Sequence, residues 1–145
     1  MTAFLDRLQS MVQGEAPAPP VSKLIGFELI DIKPGVAVFE LEVGERHANP
    51  MGTLHGGILC DVADAAMGCA FASTLEDGES FTTLELKINF LKPVWTGTLT
   101  ATGRLVKRGK MVGLVECDVV DADEALVARA SSTCMTLRHD EAVGR

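Results

Sequence analysis

One stretch of this chain dictates what can be built around it. From Asn49 to Thr74 the sequence reads NPMGTLHGGILCDVADAAMGCAFAST. It opens as a turn with Asn49-Pro50 and Gly52, passes His55-Gly56-Gly57, and continues as a long apolar run with no proline inside it. Gly68 is a weak interior interruption. The run predicts a helix of about five turns. At about 100° per residue, Ile58, Leu59, Val62, Ala66, Met67 and Phe71 point in different directions. A helix that is apolar around its whole circumference has to be enclosed. Asp61 and Asp64 near its middle argue against lipid, because a carboxylate in hydrocarbon is costly. The expected enclosure is a sheet curled around the helix.

One stripe of that helix differs. Gly57, Asp61, Asp64 and Gly68 follow i, i+4, i+7, i+11, so small residues and two carboxylates share a face. Either a ligand or another backbone approaches there, or the aspartates mark the helix's one solvated side. Spacing alone leaves both readings open.

The 145 residues suffice for one domain with a substantial core, and 47% hydrophobic content excludes general disorder. A net charge of −7 argues against nucleic acid or an anionic membrane as partner, since both attract positive fields. A phosphate-bearing ligand would therefore need local basic residues. Cys60, Cys69, Cys117 and Cys134 lie in apolar segments without CxxC pairing, which predicts buried thiols in a reducing compartment. Asp6 and Arg7 interrupt the N-terminus too early for a signal peptide, so a cytoplasmic location is expected.

Phe4, Leu5, Leu8, Met11 and Val12 predict an amphipathic helix over 2–13, closed by the Pro-rich GEAPAPP segment. These define an expected N-terminal appendage, residues 1–20, ahead of a main domain at 21–138 and a polar tail at 139–145. Phe27 to Ile32 and Val36 to Val43 predict a hairpin turning at Lys33-Pro34-Gly35. After the helix come strand candidates at Thr82 to Leu91, Leu99 to Lys107, Met111 to Asp121 and Ala125 to Leu137. Turns at Arg108-Gly109 and Asp121-Ala122-Asp123-Glu124 join the later strands. The order predicts an α+β domain, with five or six mostly antiparallel strands wrapped around one central helix and the last strands forming a meander.

This arrangement, with N-P-M-G-T-L-H-G-G leading into an apolar helix that carries an acid, resembles the hotdog-fold acyl-CoA thioesterases, in particular the phenylacetate-pathway branch. The resemblance covers roughly residues 22–137. It implies hydrolysis of acyl-CoA thioesters and maps the family's acid, nine positions after the H-G-G histidine, onto Asp64. It maps the backbone donor that polarises the thioester carbonyl onto Gly56, the loop asparagine onto Asn49, and a small hydroxyl residue after the helix onto Thr83. It also implies a homodimer, paired again into a tetramer, with Asp64 from one chain and Asn49 with the Gly56 amide from the other.

The chemistry fits those residue types. Thioester hydrolysis passes through an oxyanion, and the unpaired N–H groups at a helix start are donors for it. Gly56 and Gly57 carry no side chain to block a carbonyl. Asp64 could act as general base or as nucleophile. His55 is read chiefly as fixing the helix entry and Asn49, apart from the resemblance, equally as a turn residue. His47, His55 and Asp61 lack a recognised metal spacing, so no metal and no cofactor beyond substrate CoA are expected. Lys107, Arg108 and Lys110 form the basic turn that could dock the CoA phosphates. Two other readings remain. One is a non-catalytic acyl-CoA binding module. The other is a hotdog hydratase, which is disfavoured because His47 stands where that family's Asp would be.

Overall fold

A computed structural model describes residues 2–138. Helix α1 (Ala3–Val12) is capped by Thr2, whose hydroxyl accepts from Leu5 N. A short helix α2 (Pro20–Ile25) follows, with proline at its first position and the left-handed Gly26 at its end. The sequence reading placed no helix there. Strands β1 (Phe27–Lys33) and β2 (Val36–Val43) form the expected hairpin, and a 3₁₀ turn (Glu45–His47) leads to α3 (Gly56–Ala72). Then come β3 (Glu79–Phe90), β4 (Gly97–Arg108), β5 (Val112–Val120) and β6 (Leu126–Arg138).

The six strands make one antiparallel sheet in the order β1-β2-β4-β5-β6-β3. Strands β4, β5 and β6 are a meander, but β3 pairs with β6 rather than β4 and closes the far edge. The connection explains this departure. Leu91 N and Lys92 N both donate to Val127 O, at 2.8 and 3.2 Å, and Val94 O accepts from Leu54 N at 2.7 Å. With Pro93 inside it, this segment crosses the end of the sheet instead of turning back on β3.

The inner face of the sheet packs on α3, chiefly through β4, β2 and β5. The approach is close at Gly103, where a Cβ would lie 2.3 Å from Ala66 O. Leu59, Val62, Ala63, Ala66, Met67, Ala70 and Phe71 are buried there with Leu41, Leu99, Val115 and Val119. The enclosure is nevertheless one-sided: Gly57, Asp61 and Asp64 are exposed. A single sheet curls around part of a helix only, and both carboxylates lie on the side it leaves open. The N-terminal helix reaches this core as well, since Leu5 and Leu8 are buried in it.

In β3 the expected alternation is shifted by an irregularity between Thr83 and Glu85. Leu84 is thereby turned outward, 53% exposed, and Phe90 is 55% exposed, while Phe81, Leu86 and Ile88 pack on the core.

Candidate active site

The loop before α3 is built by Asn49. Its carboxamide accepts from Met51 N at 2.9 Å and Thr53 N at 3.2 Å and donates to Thr53 Oγ1 at 2.8 Å. Asn49 N also donates to Thr53 O at 2.7 Å, so the residue closes the turn from both backbone and side chain. His55 then caps α3, its Nδ1 accepting from Gly57 N at 2.9 Å. That bond uses the lone pair a base would need. The Gly56 N–H makes no hydrogen bond among the described residues, and a Cβ at Gly56 would fall 2.8 Å from the Phe90 ring. The helix start thus offers one unpartnered amide under an aromatic lid.

Behind this loop His47 is buried at 4% exposure. Its Nδ1 accepts from Gly44 N at 3.1 Å, and its Nε2 lies 2.7 Å from Ile25 O, a carbonyl that can only accept. Both ring nitrogens are therefore engaged, and the His47 carbonyl in turn accepts from His55 N at 2.9 Å.

Two turns into α3, Thr83 Oγ1 donates to Asp64 Oδ1 at 3.5 Å, so the helix acid and the strand hydroxyl meet. Thr83 also lies 4.0 Å from Cys134 Sγ. Asp64, Asp61 and Thr83 open into a cavity of about 570 Å³, mostly apolar in its lining. Asn49 and Gly56 line a different cavity of about 380 Å³, bounded by Phe90 and Pro93. Within one chain, then, the sequence-identified residues fall into two separate groups. Asp64 lies eight helical steps beyond Gly56, about 12 Å along the axis.

The sequence profile of the thioesterase superfamily matches residues 51–128, and acyl-coenzyme A thioesterase PaaI of Escherichia coli is 32% identical over 74% of this chain and 75% of its own. This chain belongs to the thioesterase superfamily. The solved structure of E. coli PaaI, from the phenylacetic acid degradation operon, superposes with a TM-score of 0.81 over 93% of this chain and 96% of that one, at 25% identity. A 1,4-dihydroxy-2-naphthoyl-CoA hydrolase of Listeria monocytogenes is 32% identical over 78% of this chain and 92% of the relative. The fold is the hotdog fold of these thioesterases, a sheet wrapped on one helix.

The electrostatics of this thioesterase single out Asp64. Desolvation in the cavity raises its carboxyl above the ordinary value of 3.8; the Thr83 hydrogen bond opposes the shift and the neighbouring Asp61 charge adds to it. Asp61 lies on the same wall without such a hydroxyl partner among the described residues. Cys69 also lines the cavity, and burial, reinforced by Asp64, pushes its thiol up to about 12, which leaves it an unreactive apolar group.

The basic turn divides. Arg108 is tied down: Nη2 pairs with Glu79 at 3.3 Å, Nη1 donates to Gly109 O at 2.8 Å, and the guanidinium sits 4.7 Å over the Phe71 ring. Lys107 and Lys110 are exposed. Sequence reasoning missed the outer wall of the Asp64 cavity, which includes Phe4, Met11 and Pro20. Phe4, Leu8 and Met11 stand at i, i+4, i+7, a visible stripe, but nothing in the sequence says which surface it meets.

Proposed function

We propose that this thioesterase hydrolyses acyl-CoA thioesters at a site assembled from two copies of the chain. Water adds to the thioester carbonyl, the C–S bond breaks, and the products are the free acid and CoA thiol. Asp64 of one protomer either takes the proton of the attacking water or itself attacks to give a mixed anhydride that water then opens. The Gly56 amide of the other protomer, at the positive end of α3, holds the oxyanion, and Asn49 keeps that loop in shape. His55 contributes by capping the helix. The coenzyme A thioesters named for the E. coli and Listeria relatives supply the substrate class.

The observation that carries the reading is Asp64: a partly desolvated carboxylate, hydrogen-bonded by Thr83, in a mostly apolar cavity of substrate size. Dimerisation is supported by the two half-sites, each lacking the other's groups, and by β3. That strand is a 12-residue sheet edge carrying Leu84 outward, next to Leu91 (55% exposed) and Trp95 (61%). A second pairing of such dimers gives a tetramer. Lys107 and Lys110, free of ion pairs among the described residues, are the cations left at the β4–β5 turn for the CoA phosphates.

Free-thiol release from aryl and aliphatic acyl-CoAs tests this, with wild type and Asp64→Asn side by side. Turnover should fall by at least about 10² in the variant, with the oligomer unchanged. Near-normal turnover would transfer the role to Asp61 or His55. Binding without hydrolysis in the wild type would make the protein an acyl-CoA binding module.

A further inference from the structure

The cavity at Asp64 lies between two helical stripes. On α3 it is bounded by Asp61, Asp64, Ala65 and Gly68; on α1 it is bounded by Phe4, Leu8 and Met11. The Pro-rich segment after α1 extends the second wall. Beyond Asp64 the cavity runs along Gly68, over which the Phe81 ring packs, 3.4 Å from where a Cβ would stand. The absent side chain at position 68 keeps that end from filling.

The α1 wall is held in place. Leu5 and Leu8 are 4% and 8% exposed within the main core, and Ala3 N donates to Asp77 Oδ1 at 3.0 Å. At its other end, Glu15 N and Ala16 N return to Ser10 O at 2.9 and 3.2 Å. Further along, Ile25 O accepts from Arg46 Nη2 at 3.0 Å and lies 2.7 Å from His47 Nε2, which fixes the end of α2 to the loop before α3. Phe4 and Met11 therefore face the cavity from a docked helix.

Resting on the hydrolytic reading above, we infer that α1 is the outer wall of the acyl pocket and that Phe4 and Met11 set the length of apolar acyl chain the enzyme accepts. With the thioester carbonyl at Asp64, the acyl chain is the part of the substrate that enters this space. Its chemistry follows from the lining. Apart from Asp61, Asp64, Thr83, Ser22 and Arg7 the lining is apolar, and among the described residues Arg7 is the one cation on it. An acyl group ending in a carboxylate or phosphate would meet two like charges, whereas an uncharged chain gains contact with Phe4, Met11 and Phe81.

The test uses the full chain, with decanoyl-CoA and acetyl-CoA as probes. Met11→Trp should lower the decanoyl-to-acetyl ratio of kcat/KM by at least about tenfold, and Phe4→Ala should raise it by about threefold or more. Calorimetric binding of the same probes, in an Asp64→Asn background, should show the same order. Thiol release with a ratio indifferent to both substitutions would overturn the inference. Length-dependent binding that follows the substitutions without thiol release would uphold the wall and overturn hydrolysis instead. Circular dichroism checks folding; should Met11→Trp fail to fold, Phe4→Ala decides alone.

Discussion

At the scale of single residues, the proposed role of Asp64 opposes stability to reactivity. Its carboxyl is raised in the folded state, so relative to the protonated form folding loses stability as pH rises through the folded pKa and regains it below. In the proposed mechanism catalysis runs the other way, because the carboxylate is the form that acts. The acidic limb of kcat/KM should therefore lie above 3.8, and it should move down when Asp61→Asn removes the neighbouring charge. Asp64→Asn should be inactive yet melt about 1–2 °C higher, a small gain because the group is partly solvated; a lower Tm would show that the carboxylate stabilises the fold. Arg108 behaves oppositely. Removing it strips a half-buried pair from Glu79 and a cation from Phe71, so Arg108→Ala should cost about 1–3 kcal/mol in urea unfolding without raising KM. Lys107→Ala with Lys110→Ala should instead raise KM for acyl-CoA, an effect that high salt erases.

At the scale of elements, the packing of α3 on the sheet depends on missing side chains. Gly103 on β4 lies under Ala66 and Met67, and a Cβ there would meet Ala66 O at 2.3 Å and Met67 N at 2.8 Å. These are backbone atoms, so no rotamer change relieves the contact. Gly103→Ala should cost about 3 kcal/mol or more, measured by denaturant unfolding; a loss under about 1 kcal/mol would show that the helix can lift off the sheet. Gly113 on β5 does the same for the Phe71 ring at 2.7 Å. Helix α3 itself was legible as a helix because its apolar run is long, unbroken and capped. The partner of β3 was not, since Thr82 to Leu91 alternates well enough to pair with any neighbour, and the route of residues 91–96 is fixed by hydrogen bonds to Leu54 and Val127.

At the scale of the whole molecule, the separation of Asp64 with Thr83 from Asn49 with Gly56 makes a prediction about mixtures. Asp64→Asn and Asn49→Ala chains, each inactive alone, should on co-refolding regain about a quarter of wild-type turnover, because half of random dimers are mixed and each mixed dimer has one intact site. No recovery would place the complete site within one chain. Light scattering reports the assembly directly, and Leu84→Asp on the β3 edge should weaken it. What the sequence determined by itself is local: the buried helix with two acids on one stripe, the capped glycine turn before it, and the hairpins at 33–35 and 108–109. These follow from periodicity and turn chemistry, which act over a few residues. The tertiary structure decided which side of α3 stays open, that β3 ends the sheet, that Arg108 belongs to Glu79 and Phe71, and that α1 faces Asp64 across a cavity. Each of these joins segments far apart in the chain, where packing and exclusion select among partners that local pattern leaves equivalent.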